Sequence, residues 1–342
     1  MGRGLALYAK VIGVACVLAA SGSCKTGGVP SGSAMSPEAR SYLSSALTVM
    51  EDNALRRNDV DWAAVRRHAF AQAAEAQSPA DTYPAIQSAV SALGDGHSTF
   101  HHPGGAEDSA GNTPIRAQVR GRALTGRLGY LSLPGVSGPA AVLKQYVQEG
   151  RAAIAQADRP EACGWVVDLR WNHGGNMWPM LAVVGPVLGD GDVGAFVDAR
   201  GRRFVWSVQG GRPHLDGAAM GWSASASVGT GTETGITPVA VLVSRSTASS
   251  GEALTVAFRG RPATRSFGED TAGVPTGNQP HRLSDGAVLN LTVFEDADRT
   301  GRTYDGPIPP DEVVVHHLGR DGKHDPVLEA ATTWLSKQPA CA

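Results

Sequence analysis

The chain, 342 residues long, predicts a mixed α/β (α+β) protein with a small helical domain ahead of its core. Three observations carry that expectation. Residues 36–93 place apolar side chains at helical spacing. From residue 127 onward, short apolar runs alternate with amphipathic stretches, as strands and helices do in an α/β core. Glycine is abundant, 43 residues in all, against roughly 7% in ordinary proteins, which favours many turns and close backbone approaches.

The chain opens with a basic start, Arg3 and Lys10, and an apolar run from Val11 to Ala20. That run is too short for a bilayer, which takes about 20 residues. Small residues Ser21, Gly22 and Ser23 follow, then Cys24. Residues 1–23 therefore read as an export signal. The segment resembles a bacterial lipoprotein signal, with Cys24 as the lipidated residue; Ser21 departs from it, where such signals carry an aliphatic residue. Lipidation and plain cleavage both stand. The expected location is the bacterial cell envelope, periplasmic or lipid-anchored, with membrane contact only through Cys24. Residues 24–35, rich in Gly and Ser, read as a flexible linker. Cys16 leaves with the signal. Cys163 and Cys341 remain, as a disulfide or as two separate thiols.

Residues 36–95 form the expected helical domain. Ser36-Pro37-Glu38 is a helix start, and Leu43, Leu47 and Met50 mark a buried face. Residues 96–342 form the expected catalytic domain. Within it, 128–133, 164–169 and 238–243 read as buried strands, 139–157 as an amphipathic helix, 193–208 as a hairpin and 325–335 as a closing helix. A charged fraction of 18%, a net charge of −2 and no long basic run exclude disorder and argue against a nucleic-acid partner.

Four segments carry chemistry. In SRSTASSGEALTVAF, residues 244–258, a buried strand runs through a tight loop into a helix, and Ser249 sits in the loop. A helix N-terminus offers unpaired N–H groups that stabilise an oxyanion, which suits a nucleophile there. In DLRWNHGGNMW, residues 168–178, Gly174 and Gly175 follow another buried strand and can present N–H groups to a developing negative charge. In LGDGHSTF, residues 93–100, His97 lies among small residues. In TYDGPIPPDEVVV, residues 303–315, Asp305 sits in a turn and could orient a histidine. Taken singly, each also reads as an ordinary turn or cap.

Together and in this order they resemble the serine peptidase family of tail-specific, C-terminal-processing proteases and the tricorn protease core. The likeness covers most of residues 36–335. T-A-S-S-G-E at 247–252 is similar to the family's nucleophile motif T-A-S-x-x-E, which maps the nucleophile onto Ser249. D-L-R-W-N-H-G-G at 168–175 is similar to D-L-R-x-N-x-G-G, a source of an oxyanion N–H. F-G-E-D-T-A-G at 267–273 and G-P-I-P-P-D at 306–311 match later stretches. Tail-specific members use a lysine as base; here Val274 stands at that position, and no lysine occurs between Lys144 and Lys323. D-G-H at 95–97 is similar to the histidine element of the tricorn-like branch, so His97 is the implied base. Gly96 stands where that branch has a serine. About 30 residues separate His97 from Leu128, too few for a PDZ domain.

The resemblance implies a crotonase-like ββα-spiral catalytic core and a serine-type peptidase. Its expected parts are Ser249 as nucleophile, His97 as base, Asp305 as third member, and the N–H groups of Ser250, Gly174 and Gly175 as oxyanion hole. No metal or cofactor is expected, and the partner is a peptide or protein substrate. Two other readings stand beside it. One is a non-catalytic module for peptides or apolar ligands, as in the eye's retinoid-binding relatives. The other is a metal hydrolase using His101, His102, His316 and His317, for which no HExxH motif speaks.

Overall fold

The computed structural model describes residues 34–104, 118–158, 162–221, 236–315 and 324–342. The expected leader, Cys16, Cys24, His316 and His317 lie outside the described residues.

Three helices come first: α1 (Pro37–Asn53), α2 (Trp62–Gln72) and α3 (Tyr83–Ser91). Ser36 starts α1, its hydroxyl accepting the Ala39 N–H at 3.1 Å, and Pro37 occupies the first turn, where no N–H is needed. Asp61 caps α2 through the Ala64 N–H at 2.9 Å. Leu43, Leu47 and Met50 are wholly buried. Their cluster is shared: it continues into Leu283, Leu289, Leu291 and Val293, residues that belong to or flank a later strand. Met35, at the end of the expected linker, is buried in it as well.

The remaining elements are, in order, β1 (Thr99–His101), β2 (Arg120–Leu124), β3 (Leu128–Ser132), α4 (Ala140–Ala157), β4 (Gly164–Asp168), α5 (Met177–Leu188), β5 (Gly191–Asp198), β6 (Arg203–Gln209), β7 (Arg212–Leu215) and β8 (Ala218–Ala219). They continue with β9 (Val239–Val243), α6 (Ser250–Phe258), β10 (Thr264–Gly268), β11 (Thr276–Arg282), β12 (Val288–Asp298), β13 (Thr303–Tyr304), β14 (Glu312–Val313) and α7 (Pro326–Leu335).

These strands make two sheets. Six of them lie in the order β14-β10-β9-β4-β3-β2, parallel throughout except at β2. Residues of β4 and β9 are buried along their whole length, because helices cover both faces. One face meets α4, α5 and α6 in the largest core cluster; the other meets α7 through Val327, Ala331 and Leu335. The second sheet has eight strands, ordered β1-β12-β5-β6-β7-β8, with β11 and β13 also paired to β12. Every pairing in it is antiparallel.

This second sheet corrects the crotonase-like ββα spiral expected above. The fold is mixed α/β with a curled antiparallel half-barrel and separate helices. The cause lies in the turns. Asp198 accepts the N–H groups of Arg200 and Arg202 and folds β6 back on β5. Gly210 and Gly211 between β6 and β7, and Asp216 and Gly217 between β7 and β8, all have positive φ. Such left-handed pairs make tight hairpins, and hairpins yield antiparallel neighbours where a spiral needs crossovers.

A disulfide joins Cys163, just before β4, to Cys341 beyond α7, across a sequence separation of 178 residues. Closing so long a loop in the unfolded chain is worth up to about 5 kcal/mol on the chain-entropy model. Reduction, or the Cys163→Ser and Cys341→Ser pair, is therefore expected to lower the melting temperature by roughly 5–10 °C. Calorimetry with and without reductant measures this. Ready alkylation of both cysteines in the unreduced, folded protein would contradict the pairing.

Candidate active site

Two loops at the carboxyl ends of the neighbouring parallel strands β4 and β9 meet face to face. Hydrogen bonds stitch them together. Thr247 donates its hydroxyl to the Leu169 carbonyl at 2.9 Å, Ser244 donates to the Arg170 carbonyl at 2.7 Å, and the Ala248 N–H reaches the Asn172 carbonyl at 2.9 Å. The D-L-R segment anchors the first loop. Arg170 binds the carboxylate of Asp168 at 2.7 Å and that of Asp325, the cap of α7, at 2.8 Å. Tyr130 donates to Asp168 at 2.7 Å.

Ser249 stands at the start of α6 with φ 52° and ψ −118°. A non-glycine residue there is strained, by about 1–3 kcal/mol, and such strain collects at functional sites. Glu252 holds the bend. Its fully buried carboxylate accepts the Ser249 N–H at 2.9 Å, the Thr271 hydroxyl at 2.6 Å and the N–H groups of Gly273 and Val274 at 2.8 and 3.0 Å. Burial pushes this carboxyl above the usual range, and the four donors pull against that. Gly251 must lack a side chain, since a Cβ would stand 2.5 Å from the Asn172 carbonyl oxygen.

Of the two candidate oxyanion glycines, Gly174 donates its N–H to Asn172 Oδ1 at 3.0 Å. A Cβ at Gly174 would come within 2.8 Å of Ser249 Cβ. Among the described residues nothing accepts the N–H of Gly175 or of Ser250. The Ser250 hydroxyl donates to the Gly175 carbonyl at 2.7 Å and ties the two together.

His97 arrives from the other sheet, in the loop between α3 and β1. Asp95 shapes that loop by accepting the N–H groups of His97 and Ser98 at 3.0 and 2.8 Å and the Ser98 hydroxyl at 2.6 Å. Asn278 donates to the His97 carbonyl at 3.0 Å. The imidazole Nδ1 lies 2.7 Å from the Thr276 hydroxyl. Burial holds its pKa below the ordinary imidazole value, and the Asp95 carboxylate partly offsets this.

His97, Thr276, Ser249, Ser250 and Gly175 line one cavity of about 680 Å³ between the two sheets. Asp305 does not line it. That side chain is exposed in the turn after β13, where its charged neighbour is Glu295. Thr276, not a carboxylate, is thus the group on Nδ1 of His97. Among the described residues no cluster of three metal-ligating side chains occurs.

Comparison with known proteins decides the family. Residues 127–314 match the model of Peptidase family S41. The chain belongs to peptidase family S41. It is therefore a serine-type peptidase. It is similar to the Nisin-resistance protein of Lactococcus lactis subsp. lactis, 27% identical over 277 residues, which are 80% of this chain and 83% of that protein. Two solved structures share the fold. A lipoprotein from Streptococcus agalactiae has a TM-score of 0.71 at 23% identity, covering 88% of this chain and 97% of its own. The photosystem II D1 C-terminal processing protease has a TM-score of 0.59 at 18% identity, covering 82% and 94%.

Sequence reading missed Thr276 and Asn172. Asn172 was in view as the N of D-L-R-x-N-x-G-G. Thr276 opens a polar strand containing Pro280, which gives no strand signal on its own.

Proposed function

We propose that Ser249 is the nucleophile of this S41 peptidase and His97 its base. Ser249 attacks the peptide carbonyl while Nε2 of His97, the nitrogen left once Nδ1 faces Thr276, takes the hydroxyl proton. The N–H groups of Ser250 and Gly175 receive the oxyanion, and Gly174 gives the nucleophile room. The acyl-enzyme forms as the amine departs with that proton, and water releases it. The single observation carrying this reading is that a strained serine at a helix N-terminus and a half-buried imidazole with a lowered pKa line one cavity, from opposite sheets.

The substrate is a peptide or protein. A relative named for nisin resistance supports taking nisin as a first substrate to try. Export belongs to the same reading, on the leader at 1–23 and the disulfide, with lipid on Cys24 and plain cleavage both open to intact-mass measurement. Among the described residues no helix is long and apolar enough to cross a membrane.

A fluorophosphonate probe tests the proposal. One label per chain is expected, mapped by mass spectrometry to Ser249 and absent after Ser249→Ala. A folded chain that takes no label would favour the non-catalytic binding module.

A further inference from the structure

Among the described residues, one buried acid lies in the same cavity and is not used by the mechanism above. Asp296, near the end of β12, is 0% exposed, and among the described residues neither carboxyl oxygen has a hydrogen-bond partner. Buried polar groups are almost always paired, and those that are not ask for a functional explanation. Glu252, the other buried acid here, shows the contrast with its four donors. Burial and the nearby Glu252 charge hold the Asp296 carboxyl well above the usual carboxylate range.

The surroundings suggest what would pair with it. Asp296 stands directly opposite Phe196 of β5 in the strand register, and Phe294 precedes it by two on the same strand face. The Phe196 and Phe294 rings stack at 5.1 Å, and Trp178 meets Phe196 edge-on at 6.4 Å. These residues and Ala253, in the first turn of α6, line the cavity together with Ser249. Among the described residues no Lys or Arg lines it, and Asp296 is the one acid that does. Aromatic walls beside a lone acid accept an alkyl stem ending in a cation: the rings hold the stem and the carboxylate holds the charge.

We propose that Asp296 is a specificity residue that selects a lysine or arginine immediately before the scissile bond. The proposal rests on Ser249 being the nucleophile. When the cation arrives, the Asp296 carboxylate pairs with the ammonium or guanidinium, and any proton the buried carboxyl carried goes to solvent. No covalent bond is made or broken. A neutral side chain of the same length gains only the aromatic contact.

The test uses two peptidyl diphenyl phosphonates, identical except for lysine or norleucine at the position bonded to phosphorus. Labelling of Ser249 is followed by intact mass. The wild-type protein is expected to react with the lysine probe about tenfold faster or more. Asp296→Asn, which closely matches the shape of the protonated acid, should bring the two rates together. Equal rates in the wild type would overturn the specificity role and leave the nucleophile standing. So would a fall in both rates by one factor in Asp296→Asn, which marks a positioning role. Labelling by neither probe would remove the Ser249 reading and this one with it.

Discussion

Replacing Ser249 by alanine is expected to lower kcat by roughly 10⁴-fold or more while leaving the chain folded. Most backbone contacts of the bend do not depend on the hydroxyl, whose share is to accept the Glu252 N–H in the capping box. Its N–H goes to Glu252, and its carbonyl accepts the N–H groups of Glu252 and Ala253 at 2.7 and 2.9 Å. A melting temperature lowered by only a few degrees, as losing the cap implies, with lost turnover on any peptide the wild type cleaves, is the predicted pair of results. Retained turnover would remove Ser249 from the mechanism. Ser249→Gly makes a sharper companion. Glycine tolerates a φ of 52° without a Cβ penalty, so this variant should be as inactive as alanine yet more stable than it, by about 1 kcal/mol.

The second large effect concerns His97. His97→Ala should cost about 10³-fold or more in kcat/KM. The wild-type pH profile carries a sign that follows from burial. The base works only as neutral imidazole, and burial lowers its pKa, so the acid limb of kcat/KM should lie below the ordinary imidazole value of 6.5. The Asp95 carboxylate raises that pKa. Asp95→Asn removes the attraction and should move the limb to still lower pH. Profiles of both proteins between about pH 4 and pH 9 measure the shift. Movement in the opposite direction would mean that another group controls the limb.

Much of the fold was legible in the sequence, for identifiable reasons. Residues 164–169 and 238–243 are continuous apolar runs, and they became β4 and β9, buried on both faces. Residues 139–157 carry a helical stripe and became α4. The leading helices announced themselves through Ser36, Pro37 and the spacing of Leu43, Leu47 and Met50. The sheet topology was not legible. Apolar periodicity says which face of a strand is buried, and nothing about which strand lies beside it. Thus β12, with partners on both edges, collects β1, β5, β11 and β13 from distant stretches of chain.

The site divides in the same way. Ser249, His97 and the Gly-Gly pair came from compact motifs. Thr276 and Asp296 did not, because each acquires its meaning from a neighbour remote in sequence. Thr276 matters because His97, 179 residues earlier, turns its ring toward it. Asp296 lies in the acidic run E-D-A-D at 295–298 and gains its meaning from Phe196, across from it in the sheet. Asp305 illustrates the reverse: a turn acid in a suggestive motif that the fold leaves facing water.

The alcohol and the imidazole are rooted in separate layers, one in the parallel stack and one in the curled half-barrel. Nothing local keeps them in step; their alignment is inherited from how the layers lie against α6. A slip of one layer over the other by the width of an atom would silence hydrolysis with every helix and strand intact. Catalytic competence in this peptidase is thereby a reading of whole-molecule alignment.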